Sequence, residues 1–182
     1  MVNKKQETLE KVVSITREEI IKEAKRIEES TLFSSKGHFA VAAIWNQLHL
    51  WLGIPTVILS GVSSTIAFSK DSNHSIVAIG MISIIIAALS SLMTFLNPNE
   101  KSLSRLRCGN CYDSLQNKVR IFWTIDCKQE ISEQVLYEKL KYFSEQKDRL
   151  NQDSPQIPQW AYKKAKKGIE SGETIYAVDV TK

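Results

Sequence analysis

The sequence predicts an all-α membrane protein, in which a two-helix transmembrane hairpin lies between cytoplasmic N-terminal and C-terminal helices. Residues 48–68 and 75–96 form two apolar stretches that contain no Lys, Arg, Asp or Glu. A helix needs roughly 20 such residues to cross the hydrocarbon core, so each stretch is long enough. The link between them, SKDSNH, is very short and carries one Lys and one Asp. The charged residues lie mostly on either side of this pair.

The first 37 residues are predicted to form a cytoplasmic amphipathic helix. They are too highly charged for a signal peptide, so the first span is expected to direct its own insertion. Thr16 and Glu19 have the spacing of a capping box, which predicts a helix start. A stripe of apolar residues follows at helical spacing, and the sequence Ser34-Ser35-Lys36-Gly37 is expected to end the helix. The stripe consists of Ile20, Ile21, Ala24 and Ile27.

Residues 38–99 make up the predicted hairpin, with a second helix beginning near His38 and leading into the first span. Trp45, His49 and Trp51 are expected at the membrane surface, where Trp is favoured. Pro55 lies further along. It either kinks the first span or occupies the first turn of a new helix that begins at the membrane surface.

The C-terminal region, residues 100–172, is predicted to be helical and cytoplasmic. After a break at Asn97-Pro98, a helix restarts near Glu100, and a second helix covers residues 132–151. Residues 154–158 are expected to be extended because of their two prolines, and a short basic helix over 159–171 ends at Gly172. Residues 173–182 form a short strand or a tail. The first of these helices has a packing seam of Cys108, Tyr112, Leu115, Val119 and Phe122, and the second has Leu136, Leu140, Phe143 and Leu150.

Basic residues follow the second span, whereas the link between the spans has no net charge. An excess of Lys and Arg stays on the cytoplasmic side, so both termini are predicted to be cytoplasmic in a multi-pass protein of the inner membrane. The same residues are candidate contacts for anionic lipid or phosphate, with a plain topology signal or a solvated helix face as the alternative. The candidates are Lys101, Arg105, Arg107, Lys163, Lys164, Lys166 and Lys167.

Each span has one narrow stripe of small and hydroxyl-bearing residues. Small residues let helices approach closely in lipid, so the two stripes could pack against each other. Alternatively, one stripe lines a pore in an oligomer, where the hydroxyl groups contact water. The first stripe comprises Gly53, Thr56, Ser60, Ser63 and Ala67, and the second comprises Gly80, Ser83, Ala87, Ser90 and Thr94.

Catalytic, cofactor and metal sites are not predicted. The chain has no Gly-rich phosphate loop, G-x-S-x-G or H-E-x-x-H motif, so it is not expected to be an enzyme. Cys108 and Cys111 form a lone C-x-x-C, and zinc would need two further ligands. The three cysteines are expected to be reduced thiols in the cytoplasm. The basic run at 163–167 lacks the interleaved aromatic residues of a nucleic-acid platform, so no nucleic-acid partner is expected.

The arrangement as a whole resembles the SLATT families, which are two-transmembrane proteins associated with nucleotide-signalling genes in prokaryotic conflict systems. The resemblance covers residues 15–172 and depends mostly on packing and boundary residues. These are Trp45, Gly53, Pro55, Thr94-Phe95-Leu96-Asn97-Pro98, Glu100, Arg107, Gly109, Tyr112, Leu115, Arg149-Leu150-Asn151, Ser154-Pro155 and Ile157-Pro158.

The resemblance implies an antiphage effector that oligomerises in the inner membrane and forms or gates a pore, which leads to growth arrest or cell death. It also implies a homo-oligomer, which we expect to contain four or more subunits because two helices cannot enclose a water path. The implied trigger is a nucleotide second messenger or a partner protein that senses one. The alternative is a non-conducting, membrane-anchored adaptor or scaffold for a cytoplasmic sensor or enzyme.

Overall fold

The computed structural model describes residues 16–68 and 74–174, with only the backbone of His74 and Ser75. Over these residues the fold is all-helical and includes two helices that are long and apolar enough to cross a membrane, which confirms the predicted fold class at this level. The predictions for residues 1–15, for most of the link between the spans and for the final strand or tail lie outside the described residues.

Five α-helices and one 3-10 turn follow each other within the described residues. They are α1 (Arg17–Ala67), α2 (His74–Leu96), α3 (Pro98–Thr124), the turn Asp126–Lys128, α4 (Glu133–Asp153) and α5 (Gln159–Glu170). These elements fall into two compact units. The apolar unit is His38–Arg107, and the core unit comprises the described residues up to Gly37 together with those from Cys108 onward.

The start of α1 has the predicted capping box. The backbone N–H of Thr16 donates to Glu19 Oε2 over 2.9 Å, and the Glu19 N–H donates to Thr16 Oγ1 over 3.3 Å. Two of the N–H groups that have no partner within the helix are therefore satisfied by side chains at its first turn. This local prediction is confirmed.

The expected helix break at Ser34–Gly37 is wrong, because α1 continues through it without interruption. The hydroxyls of Ser34 and Ser35 donate to the carbonyls of Ser30 and Leu32, so they do not compete with the helix. A Cβ added to Gly37 would lie 2.9 Å from Ile157 Cγ2. Gly37 therefore allows a close approach between two parts of the core unit and does not end the helix.

Pro55 also lies inside α1, so the alternative of a new helix beginning there is wrong. Proline cannot donate to the carbonyl one turn earlier. The carbonyl that loses its donor is that of Trp51, and the hydroxyl of the next residue, Thr56 Oγ1, donates to the adjacent Leu52 carbonyl over 2.7 Å. Helices within a membrane tolerate proline because side-chain hydroxyls and adjacent helices satisfy the backbone groups that it leaves unpaired.

The break after α2 is a single residue, Asn97, which adopts a left-handed conformation with φ of 42°. Asn tolerates this region because its short polar side chain forms local hydrogen bonds, here from Nδ2 to Glu100 Oε2. The Lys101 N–H donates to the Asn97 carbonyl over 3.2 Å. The next helix therefore begins at Pro98, two residues before the predicted restart, with proline in the first turn where its missing N–H costs little.

The core unit has a conventional hydrophobic core. The stripe predicted on α1 and the seams predicted on α3 and α4 supply it, and Phe122 packs edge-on against Phe143 with ring centroids 5.4 Å apart. Four residues of these sets stay half-buried, namely Ile21, Cys108, Phe143 and Leu150. The buried cluster is Ile20, Ala24, Ile27, Leu115, Val119, Phe122, Cys127, Leu136 and Leu140.

Polar contacts reinforce this core at two places. The Arg17 guanidinium donates to three backbone carbonyls around the 3-10 turn, those of Cys127 (3.2 Å), Gln129 (2.8 Å) and Ile131 (2.6 Å). On the same helix, the Glu28 carboxylate accepts hydrogen bonds from Trp123 Nε1 and Gln116 Nε2. Charged groups that satisfy buried or half-buried partners in this way stabilise more than neutral pairs do.

The C-terminal end of α5 is a Schellman motif. Gly172 has φ of 87°, its N–H donates to the Ile169 carbonyl, and the Glu173 N–H donates to the Gly168 carbonyl. Glycine adopts this left-handed conformation without steric cost, so the predicted stop at Gly172 is confirmed.

Candidate functional site in the apolar unit

The second half of α1 and all of α2 leave many large apolar side chains exposed. Val57 and Ile84 are each 72% exposed, and Phe95 is 86% exposed. Soluble monomers rarely expose a continuous apolar surface of this kind, which is typical of a membrane-facing or partner-facing surface. The 23 residues of α2 rise about 35 Å, which matches the hydrocarbon core of about 30 Å.

Six hydroxyl groups on these helices are satisfied within their own helix. Thr56, Ser60, Ser64, Thr65, Ser91 and Thr94 each donate to the carbonyl four residues earlier, over 2.7 to 3.0 Å. A hydroxyl that is bonded in this way does not need water, so it can lie in lipid, face a second helix or accept a further hydrogen bond from a solvent molecule. Among the stripe residues, Thr56, Ser60 and Thr94 are therefore compatible with all three surroundings.

One face of each apolar helix is half-buried, and these faces meet. On α1 the half-buried residues include Leu52, Thr56, Leu59 and Ser63, and on α2 they include Ile82, Ile86, Leu89 and Met93. The contact is close at Gly53, where an added Cβ would lie 3.8 Å from Met93 Cε. The surface that α2 turns towards α1 is thus made of bulky side chains.

The two predicted stripes have different places relative to this seam. On α1, Gly53, Thr56 and Ser63 are half-buried, while Ser60 and Ala67 are exposed. On α2, all five stripe residues are exposed: Gly80, Ser83, Ala87, Ser90 and Thr94.

The α2 stripe lies outside the seam altogether. A Cβ added to Gly80 would meet nothing within 4 Å. At about 100° per residue, the stripe lies about a third of a turn from the face that contacts α1. Within one chain the two stripes do not pack against each other, so the α2 stripe remains available to lipid, water or another subunit.

The basic residues after the second span belong to the apolar unit. Lys101 Nζ lies 4.6 Å from the centroid of the Trp45 ring, a cation–π contact. Ser102 Oγ donates to the Ala42 carbonyl over 2.9 Å. The first turns of α3 therefore pack beside the part of α1 that precedes its apolar stretch, with Arg107 exposed and Arg105 half-buried.

His38 is buried in the same place. Burial, and secondarily the positive charge of Arg105, lowers its pKa from 6.5 to about 4. The imidazole is therefore neutral at neutral pH. A protonated imidazole would be repelled by the positive charge of Arg105, whereas the neutral ring is not.

The other basic candidates lie in the core unit. Lys163, Lys164, Lys166 and Lys167 are all exposed on α5. Lys166 forms an ion pair with Glu170 over 3.7 Å. The structure therefore separates the basic residues that the sequence analysis grouped together, with one group beside the apolar helices and one on the surface of the other unit.

The cysteines do not come together around a metal position. Cys108 is half-buried, Cys111 is exposed and Cys127 is buried, and all three are free thiols. Within residues 16–68 and 74–174, no group of three His, Cys, Asp or Glu side chains could hold a metal ion. Burial raises the pKa of the Cys127 thiol, so it remains protonated at neutral pH.

Sequence reasoning missed a groove in the core unit between α1 and α5. Its volume is about 610 Å³, and the rings of Phe33 and Tyr162 stack near it with centroids 5.5 Å apart. The α1 side follows helical spacing, with Arg26, Glu29, Ser30, Phe33 and Ser34. The apolar pair Leu32-Phe33 in a polar stretch was the available signal, but the groove exists only because a distant helix packs there.

No protein-family model matches this chain, and neither a curated protein nor a solved structure matches it.

Proposed function

We propose that this protein is a membrane effector of antiphage defence, which oligomerises in the inner membrane and forms or gates a pore there. The α1–α2 pair would cross the bilayer as a hairpin with both chain termini in the cytoplasm. The defence role comes from the resemblance to the SLATT families. Assembly and conduction are supported by one structural observation, the exposed α2 stripe.

The physical argument begins with what each exposed surface favours. Ile84, Phe95 and their neighbours suit lipid tails, which need no specific partner. The stripe of Gly80, Ser83, Ala87, Ser90 and Thr94 has little bulk, so another helix can approach it closely, and its hydroxyl groups can also contact water. Several copies of the chain, each turning this stripe inward, would enclose a narrow path with a hydroxyl-rich wall.

Ion flux tests the conduction step. Purified oligomer in liposomes should release an entrapped ion or dye when it is activated, either by infected-cell extract or by nucleotide second messengers. An oligomer that stays at background flux under all these triggers would exclude the pore and leave the non-conducting adaptor as the working function. In cells, expression should lower phage plating, and depolarisation of the inner membrane should follow infection.

Two adjacent alanines give a matched test of the stripe. Ala87 belongs to it, whereas Ala88 is exposed on a different face of α2, away from both the stripe and the seam. Ala87→Leu should therefore weaken the oligomer or change its conductance, while Ala88→Leu should leave both near wild type. Oligomer mass in detergent and liposome flux are the two measurements. Equal behaviour of the two variants would contradict the assignment of the stripe.

A further inference from the structure

The short helix α5 has two contrasting faces. Ala161, Ala165 and Gly168 are buried against the rest of the core unit, so this face is made of very small residues. The opposite face has larger, exposed residues: Lys163, Lys164 and Lys167 lie three, four and seven positions after Trp160. We refer to these four residues as the α5 outer face.

The charges of the α5 outer face are not neutralised by the fold. Among the described residues, Lys166 has its ion pair with Glu170, but no ion pair involves Lys163, Lys164 or Lys167. Three like charges within two turns repel each other, and nothing within the described chain compensates them. An anionic partner would remove this repulsion.

Trp160 points to the kind of anionic partner. Its side chain is 43% exposed although Trp is among the most apolar residues by area. Trp is favoured at the boundary between head groups and acyl chains, because the ring is apolar and its N–H prefers water. A soluble phosphate would use the lysines but leave the ring in water, whereas an anionic bilayer accommodates both.

We propose that the α5 outer face docks on the surface of an anionic bilayer, with the lysines at lipid phosphates and Trp160 at the level of the head groups. This inference rests on the proposed function, because it requires a chain that is held in a membrane. Each Lys near an anionic surface contributes about five-fold to such an equilibrium, so the three lysines together contribute about 100-fold. Docking is expected to weaken steeply as salt rises.

Fluorine NMR of the full chain labelled with 5-fluorotryptophan gives one resonance for each of its four tryptophans, and Trp160→Phe assigns the relevant one. The protein is placed in nanodiscs that carry a spin-labelled lipid, either neutral (phosphatidylcholine) or anionic (phosphatidylglycerol). Trp51, in the apolar part of α1, reports membrane insertion. Trp123, which donates to Glu28 inside the core unit, is the internal control away from the α5 outer face.

The Trp160 resonance should broaden in anionic nanodiscs and sharpen in neutral ones, while Trp51 broadens in both. The triple variant Lys163→Gln, Lys164→Gln, Lys167→Gln should lose the Trp160 broadening. The control removes the same amount of charge from three exposed lysines elsewhere in the core unit: Lys118→Gln, Lys128→Gln, Lys141→Gln. This control variant should keep the broadening of the Trp160 resonance.

The outcomes separate this inference from the proposed function. If Trp51 broadens but Trp160 stays sharp in anionic nanodiscs, docking is overturned while membrane insertion stands. If Trp160 broadens equally in neutral and anionic nanodiscs, or if both triple variants behave alike, the role of these lysines is overturned. If Trp51 stays sharp throughout, the protein is not inserted, and both proposals fail together.

Discussion

The two units of this protein use apolar residues in opposite ways. In the core unit, Phe122 and Leu136 are almost completely buried by other parts of the same chain. In the apolar unit, residues of similar size such as Ile84 and Phe95 remain exposed. Water would penalise the second arrangement and hydrocarbon would not. The exposed apolar surface therefore suits hydrocarbon or a further protein surface, and the apolar unit draws little stability from burial within one chain.

The largest expected effect is on the core unit. Phe122→Ala removes a ring that is 1% exposed and packs against Phe143, so the free energy of unfolding should fall by about 3–5 kcal/mol. Ile121→Ala, at an exposed neighbour on the same helix, is the control and should change it by about 0.5 kcal/mol or less. Chemical denaturation in detergent, followed by circular dichroism, measures both. Similar losses for the two variants would contradict the assigned core.

The next effect is a pH dependence in the apolar unit. His38 has a pKa of about 4 in the folded protein and 6.5 in the unfolded chain, so the unfolded state binds the extra proton between these values. The free energy of unfolding should therefore fall by up to about 3 kcal/mol as pH decreases from about 6.5 to 4. Above pH 7, His38 is neutral in both states, so it should add no pH dependence there. Thermal unfolding of wild type and His38→Asn at pH 7.5 and 5 isolates this contribution. A pH slope that the variant retains in full would rule out His38 as its source.

A smaller loss is expected when Arg17 is replaced. Arg17→Met keeps much of the side-chain length but removes the donors to the carbonyls of Cys127, Gln129 and Ile131. The core unit should lose about 2 kcal/mol, because the charge-assisted hydrogen bonds are lost and the half-buried carbonyls of Cys127 and Ile131 are left without a donor. Arg26→Met is the control, since Arg26 forms only an exposed ion pair with Glu23, and its effect should be about 0.5 kcal/mol or less. Amide exchange around the 3-10 turn should increase in the first variant alone.

The smallest effect is expected for an apolar residue that is exposed in the apolar unit. Ile84→Ala removes as many carbon atoms as the same change at the fully buried Ile20 would, yet Ile84 is 72% exposed within the chain. In lipid the neighbouring acyl chains fill the space, so the unfolding free energy should change by less than about 0.5 kcal/mol. The assay is the one used for Phe122→Ala. A loss of several kcal/mol would mean that Ile84 contacts another subunit, which would move the assembly surface away from the α2 stripe.

Local sequence patterns anticipated much of the fold. The capping box at Thr16, the stop at Gly172 and the seam around Val119 all depend on residues within a few turns of each other, and all are found. The prediction of a helix break at Ser34–Gly37 was wrong because the role of Gly37 depends on a residue that is distant in the sequence. Gly37 is present because Ile157, 120 residues later, packs against it, and no local pattern encodes that approach.

In the candidate site, too, local spacing predicted some features and long-range packing decided the others. The stripes on α1 and α2 were visible from spacing alone. Their relation to each other was not, because it depends on how each helix is rotated about its own axis when the two pack. The structure rotates α2 so that Ile82, Ile86 and Met93 lie on its half-buried face, with Met93 close to Gly53 of α1, while Ser83, Ala87 and Ser90 are exposed.

Patterns among neighbouring residues predicted the two apolar stretches, the capping box at Thr16 and the helix faces that could pack, because helical periodicity relates residues within a few turns of each other. Only the tertiary structure decided which face of α2 is covered, why α1 continues past Gly37, and where the two basic groups lie. These depend on contacts between residues that are distant in the chain, where the fit of side chains selects one packing among several that the periodicity allows.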